Sequence, residues 1–121
     1  MKQKDQNNSD PALIFPCSGA SDAGELAVRI ARRMMRSGSG KMFCLAAIGG
    51  HIQQFIEDAQ LVENIIIIDG CSNGCAKKTL SIINVQGYEF DLEALGFKKG
   101  NSPATGKNIN KVVTHIRTKL K

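Results

Sequence analysis

The run Ile65-Ile66-Ile67-Ile68 constrains this chain more than any other segment. Four β-branched apolar residues in succession, ended by turn-forming residues, read as a strand buried on both faces, as strands are in parallel sheets covered by helices. Asp69-Gly70 ends the run, and Cys71 and Cys75 follow in a C-x3-C spacing. Ala76-Lys77-Lys78-Thr79-Leu80 then reads as the start of a helix. The unit is strand, turn, helix, with two sulfurs at the turn.

The rest of the chain alternates in the same way. Residues 12–15 read as a first strand and residues 16–21 as a turn rich in small residues. A helix is expected from Ser21 or Asp22, either of which can accept hydrogen bonds from its free N–H groups. Ala23, Leu26, Ala27, Ile30 and Met34 form its apolar stripe, Glu25 and Arg29 a favourable i,i+4 pair, and Ser37-Gly38-Ser39-Gly40 its end. Residues 41–44 are a second strand and residues 45–50 a turn or single helical turn. Residues 51–59 are a short helix with Ile52, Phe55, Ile56 and Ala59 inward. The central strand spans residues 64–69. The next helix covers about residues 74–83, with Cys75, Thr79 and Ile82 or Ile83 on its inner face. Residues 88–91 alternate as an edge strand, residues 92–95 form a short helical turn, and residues 98–106 form a loop. The last helix, about residues 108–120, holds Ile109, Val112, Val113, Ile116 and Leu120 on a 3.6-residue period. The pattern predicts an α/β fold: a three-layer sandwich with a mostly parallel four-stranded sheet in the order 2-1-3-4, Rossmann-like or flavodoxin-like.

A chain of 121 residues fits one domain. It is taken as residues 12–121, after a polar tail over residues 1–11 that is expected to be disordered. No stretch approaches the roughly 20 apolar residues of a membrane span. The polar start has no apolar segment of the secretory kind. A cytoplasmic protein with no membrane partner is therefore expected, and four cysteines in that reducing setting point to metal ligation or thiol chemistry rather than disulfides. The net charge of +5 is unevenly placed: residues 1–93 carry nine Lys+Arg against 11 Asp+Glu, while residues 94–121 carry seven Lys+Arg and no acid. Such a segment can meet nucleic acid or another anion. With no Trp and a single Tyr, Tyr88, no base-stacking surface is expected. A solvated helix face accounts for the charge, so nucleic acid is not the expected partner.

Cys17 lies just past the first strand, Cys44 at the end of the second, and Cys71 and Cys75 past the third. In a parallel sheet ordered 2-1-3 those strand ends are neighbours, about 4.8 Å apart, on the edge where open parallel sheets hold ligands. The four thiols can therefore converge. A tetrahedral zinc site takes four thiolates at about 2.3 Å, and nearby helix N-termini favour the thiolate form. Cys17, Cys44, Cys71 and Cys75 are thus candidate zinc ligands, and the same set suits an iron–sulfur cluster. Four thiolates close the coordination shell, which favours a structural, metal-handling or sensing role over hydrolysis.

Other readings of these residues stand beside that one. Cys44, within Met42-Phe43-Cys44-Leu45, also fits plain core packing. A thiol-based redox or transfer enzyme would use Cys17 or the Cys71/Cys75 pair. A phosphatase-like C-x5-R loop, however, needs an arginine where Ala23 stands, and C-x2-C is the commoner redox spacing. Neither glycine-rich phosphate-binding motif is present. His51, at a helix start on the same edge, is a further candidate ligand or proton donor. Asp69 is placed to cap the following helix or to orient Cys71. His115 lies off the last helix's apolar stripe and is expected to face solvent.

Asp69-Gly70-Cys71 followed by Cys75-Ala76-Lys77-Lys78 resembles the central motif of the DGC-domain family, named for that tripeptide. Cys17-Ser18-Gly19-Ala20-Ser21 with Gly24, Glu25, Leu26 and Ala27 resembles its first cysteine loop. Cys44-Leu45-Ala46-Ala47-Ile48-Gly49-Gly50 resembles its second, with Ala47 where the family more often has glycine. Asp91-Leu92 through Gly96, with Lys98 or Lys99, resembles its closing segment. The resemblance covers about residues 13–99. It implies zinc binding through Cys17, Cys44, Cys71 and Cys75, and it implies no reaction.

Overall fold

In a computed structural model, described over residues 11–120, four strands form one parallel sheet: β1 (Leu13–Pro16), β2 (Lys41–Met42), β3 (Ile65–Asp69) and β4 (Tyr88–Asp91). Their order is β2-β1-β3-β4. The isoleucine run is the centre of the sheet. It pairs with β1 from Leu13↔Ile65 to Pro16↔Ile68, and with β4 from Ile66↔Tyr88 to Asp69↔Asp91. Successive strand side chains point to opposite faces, and each face here has its own core. Ile66 and Ile68 meet α1 (Asp22–Arg36) and α5 (Gly106–Lys119). Ile65 and Ile67 meet α2 (Leu45–Gly49), α3 (Gln53–Leu61) and α4 (Cys75–Ile82). None of the four isoleucines is more than 1% exposed, so the two-faced strand needs helices on both sides and has them. The expected α/β three-layer architecture and strand order are both present.

The two longest helices, α1 and α5, begin where short polar side chains can take their free N–H groups. Ser21 Oγ accepts from Gly24 N at 3.1 Å, and Thr105 Oγ1 accepts from Asn108 N at 3.2 Å. That second cap starts α5 at Gly106, two residues before the periodicity alone implied.

Four local expectations are corrected. Strand β2 is only two residues long: Phe43 still donates its N–H to Ile14 O at 3.0 Å and packs its ring against Phe15 and Phe55, with centroids 5.6 and 5.3 Å away, but Cys44 already serves as the N-cap of α2 and ends the pairing. Ile52 is 52% exposed; it precedes α3 at the N-cap position instead of joining its inner stripe. In α4 the inward residues are Ala76 and Leu80, followed by Ile83, while Cys75 is exposed and Ile82 is 73% exposed. The stripe is thus one residue out of register with the expected one. His115 also differs from expectation: it is half-buried, edge-on to Phe90 at 6.0 Å. The tail expected at residues 1–11 lies, except for Pro11, outside the described residues. Among the described residues no helix is long and apolar enough to cross a membrane.

Candidate functional site

The loops that follow β1, β2 and β3 share one edge of the sheet and carry all four cysteines. The first loop is the most tightly held. Cys17 extends the sheet pairing by one residue, its N–H donating to Ile68 O at 3.0 Å. Its Sγ accepts the N–H of Gly70 at 3.3 Å, and its half-buried side chain packs against the cores on both faces. Ser18 then takes a left-handed backbone conformation, φ +56°, which a non-glycine residue adopts only at some cost.

Two glycines make this approach possible by lacking a side chain. A Cβ on Gly70 would lie 2.9–3.0 Å from the backbone of Ala23 and Gly24. A Cβ on Gly24 would lie 2.3 Å from Gly19 O. The β1–α1 loop, the first turn of α1 and the end of β3 therefore interlock backbone to backbone. Gly70 reads from sequence as a turn residue; in the structure it is a spacing residue, and its φ is not left-handed.

The loop after β3 is organised by Asp69. Its Oδ1 accepts from Ala76 N at 2.8 Å and its Oδ2 from Lys77 N at 3.2 Å, so it caps α4, one of the two roles expected for it. Burial pushes the Asp69 carboxyl above its ordinary range; the two N–H bonds oppose this, and the carboxylates of Asp91 and Glu89 reinforce it. The cap also means that the first free N–H groups of α4, expected to favour thiolates at Cys71 and Cys75, already serve a carboxylate. Gly74, left-handed at φ +63°, turns the chain from Cys71 into the helix.

The segment after β4 closes over this loop. Glu93 accepts from Ser72 N at 2.9 Å, which holds its carboxyl below the usual range. Lys99 lies near Cys71, and this sulfur beside its ammonium holds the Lys99 pKa above its ordinary range. Asp22 ties the segment down: its carboxylate accepts from Gly100 N and Ser102 N, each at 2.8 Å, and these bonds hold its carboxyl below the usual range. From spacing alone residues 98–106 read as a loop and Asp22 as one of two candidate caps of α1, the role that Ser21 in fact fills. The Asp22 partners lie 78 and 80 positions away, where no local spacing signals them.

Cys44 and Cys75 are held differently. Cys44 occupies the N-cap position of α2 with no side-chain hydrogen bond and is exposed, so core packing does not account for it. Cys75 opens α4 on its outer side and is also exposed. His51 is exposed in a left-handed turn, φ +59°, after α2. Among the described residues no three His, Cys, Asp or Glu side chains stand close enough to hold a metal ion. The structure thus brings the three cysteine loops to one edge without bringing the four sulfurs to one point. The donor chemistry fits a thiophilic metal: four free thiols, one already accepting a backbone N–H and one beside an ammonium. Gathering them requires Cys44 and Cys75 to turn inward, and since both are exposed, neither would abandon a packed position.

A parallel α/β domain with cysteine loops after three adjacent strands defines a class, and comparison with known proteins gives it a family. The DGC domain family matches residues 13–116, and this chain belongs to it. The chain is similar to the anaerobic and virulence modulator AnvM of Pseudomonas aeruginosa, 32% identical over 78 residues. That alignment covers 64% of this chain and 60% of AnvM, so it spans under two-thirds of the relative's length. No solved structure matches this chain.

Proposed function

We propose that this protein binds one zinc ion through Cys17, Cys44, Cys71 and Cys75 at the C-terminal edge of its sheet, in a structural, metal-handling or sensing role. The carrying observation is the order β2-β1-β3, which sets the three cysteine loops side by side, with Cys17 anchored on Gly70 N–H. In this reading Cys17 and Cys71 are the fixed donors and Cys44 and Cys75 the closing ones. Bound zinc would cross-link three loops and stabilise the fold. The reducing cytoplasm is the setting that keeps four such thiols free. Of the three roles, sensing accords with the name of the relative AnvM, a modulator.

The competing reading is a thiol redox or transfer activity, and the ammonium of Lys99 beside Cys71 favours it. One measurement separates the two. Protein purified under reductant without added metal is expected to carry one zinc per chain, with four thiols protected from alkylation until a chelator is added. Metal-free protein with one or two fast-reacting thiols would overturn the zinc reading. Iron with sulfide, found instead of zinc, would replace zinc by an iron–sulfur cluster on the same donors. Cys44→Ser is expected to lose zinc as fully as Cys71→Ser; retention by Cys44→Ser alone would remove Cys44 from the donor set.

A further inference from the structure

The strongest unassigned feature is the outer face of α1 and α5. Arg29, Arg32, Arg33 and Arg36 follow one another at i, i+3, i+4 and i+7, a single stripe about 10 Å long. They line a concavity of about 370 Å³ with Ile109 of α5. The neighbouring helix extends the charge: Lys107, Lys111, Arg117 and Lys119 are exposed, and α5 contains no acid. Two of the guanidiniums are positioned by neutral partners. Arg33 Nη1 donates to Asn110 Oδ1, and Arg117 Nη2 donates to Ser37 Oγ at 2.7 Å and Ser39 Oγ at 3.1 Å.

Among the described residues little neutralises this face. Among the described residues the ion pairs are Arg29–Glu25 and Lys77–Glu89, so only Arg29 of the quartet has a carboxylate. Asp22, the other acid of α1, is occupied by Gly100 and Ser102. Like charges at i,i+3 and i,i+4 destabilise a helix, and the stripe holds four such pairs. Counting charge by segment isolates the basic C-terminus and reads it as a solvated face. The packing of α5 along α1 sets that segment beside four arginines from another part of the chain.

We propose that the α1–α5 face docks the phosphodiester backbone of a nucleic acid without reading its sequence. Guanidinium matches phosphate geometry in bidentate fashion, and the stripe is built from arginine rather than lysine. The face has no exposed aromatic side chain for base stacking, because Tyr88 lies on β4. An anionic membrane is disfavoured because the apolar stripes of both helices, among them Leu26, Ile30, Val112 and Ile116, are buried in the core and cannot insert. The cysteine edge lies off the N-terminal end of α1, whereas the arginines occupy its C-terminal half. The two sites can therefore be tested separately.

The test is fluorescence anisotropy of the full chain with a 20-base-pair DNA duplex, a second duplex of unrelated sequence, and a single-stranded RNA of the same length, across a salt series. Binding to the duplexes is expected to be equal within about twofold, with log K falling against log salt at a slope near −4, as about four or five phosphate contacts give. The double variant Arg32→Ala/Arg36→Ala should lower that slope by about 2 and weaken binding at least about tenfold at moderate salt. The charge-matched Lys77→Ala/Lys78→Ala, on α4 across the sheet, should change neither. Should the alanine variant fold poorly, Arg32→Lys/Arg36→Lys keeps the charge and should hold the slope while losing a few-fold in affinity. No salt-dependent binding to either nucleic acid overturns the proposal. So does an equal loss in the charge-matched control, and so does binding confined to phosphatidylserine vesicles.

Discussion

Replacing Gly70 by alanine tests the backbone interlock that holds the cysteine edge. The added Cβ would stand 2.9 Å from Ala23 C and 3.0 Å from both Ala23 O and Gly24 N. Ordinary contacts of this kind are about 3.5–4.0 Å, so the end of β3 and the first turn of α1 must separate by roughly 0.5–1 Å. No side chain can rotate to absorb this, because all three atoms are backbone. The turn cannot move freely either: Ser21 caps it, Asp22 ties it to residues 100 and 102, and Leu26, Ile30 and Met34 anchor the helix in the core. Overpacking of this sort costs about 1–3 kcal/mol. With relaxation blocked on three sides we expect about 2 kcal/mol, or roughly 8 °C in Tm for a domain of this size. Thermal and urea unfolding followed by circular dichroism, in reductant and with the urea slope unchanged, would measure it. The same separation lengthens the hydrogen bond from Gly70 N to Cys17 Sγ, so Cys17 should alkylate faster than in the unaltered chain. A Gly70→Ala protein that melts within 1–2 °C of the parent, with Cys17 no more reactive, would refute the interlock.

Gly106→Ala is the opposite case: its Cβ would meet nothing within 4 Å and its φ is not left-handed, so the variant should gain about 0.4–1 kcal/mol, read as a higher Tm. Asp22 has a folded-state pKa below its unfolded value, so its stabilisation is present above about pH 3.9 and is lost as pH falls through that value toward the depressed one. Asp22→Asn should accordingly flatten the loss of Tm between about pH 5 and pH 2.5, and an unchanged acid profile would contradict the clamp. Asp69 has the reverse sign: its pKa is raised on folding, so stability is lost as pH rises from about 3.9 through the raised value. The Tm of Asp69→Asn, taken relative to the parent, should therefore climb with pH across that window.

The fold was legible in sequence because its main signal is strong and local. A two-faced isoleucine strand, three further apolar segments and helical stripes between them leave few arrangements, and the order β2-β1-β3-β4 follows from ordinary crossover rules. The loops carrying Cys17, Cys44 and Cys71 could be placed on one edge for the same reason. What could not be read is how each sulfur is held. The C-x3-C spacing does not reveal that α4 buries Ala76 and Leu80 and so leaves Cys75 outside. Nor does the tripeptide Asp-Gly-Cys reveal that its glycine makes room for α1, or that its aspartate serves α4 rather than the neighbouring sulfur. Gly70 meets Ala23 and Gly24, 47 and 46 positions away, and even the Asp69 cap, only seven and eight positions long, is one of two roles its spacing allows. The arginine face escaped for a related reason: α1 and α5 are distant in sequence and each looks like an ordinary solvated helix alone.

The four sulfurs rest apart for reasons specific to each, and those reasons rank how easily the edge can close. Cys17 is fixed by backbone contacts through Gly24 and Gly70, and Cys71 by Lys99 and the Glu93 bond to Ser72. Cys44 follows Phe43, whose ring is locked between Phe15 and Phe55, yet its own exposed side chain makes no hydrogen bond among the described residues, so a rotamer change can move it without breaking one. Cys75 is the hard one. Turning the whole of α4 would expose Ala76 and Leu80, so Cys75 must come inward by its own rotamer or by opening the helix's first turn. Asp69 holds that turn shut through the N–H groups of Ala76 and Lys77. Under the proposed zinc reading, the Asp69 carboxylate therefore governs whether Cys75 joins the other three sulfurs, and a weakened Asp69 cap should ease that closure while lowering the stability of α4.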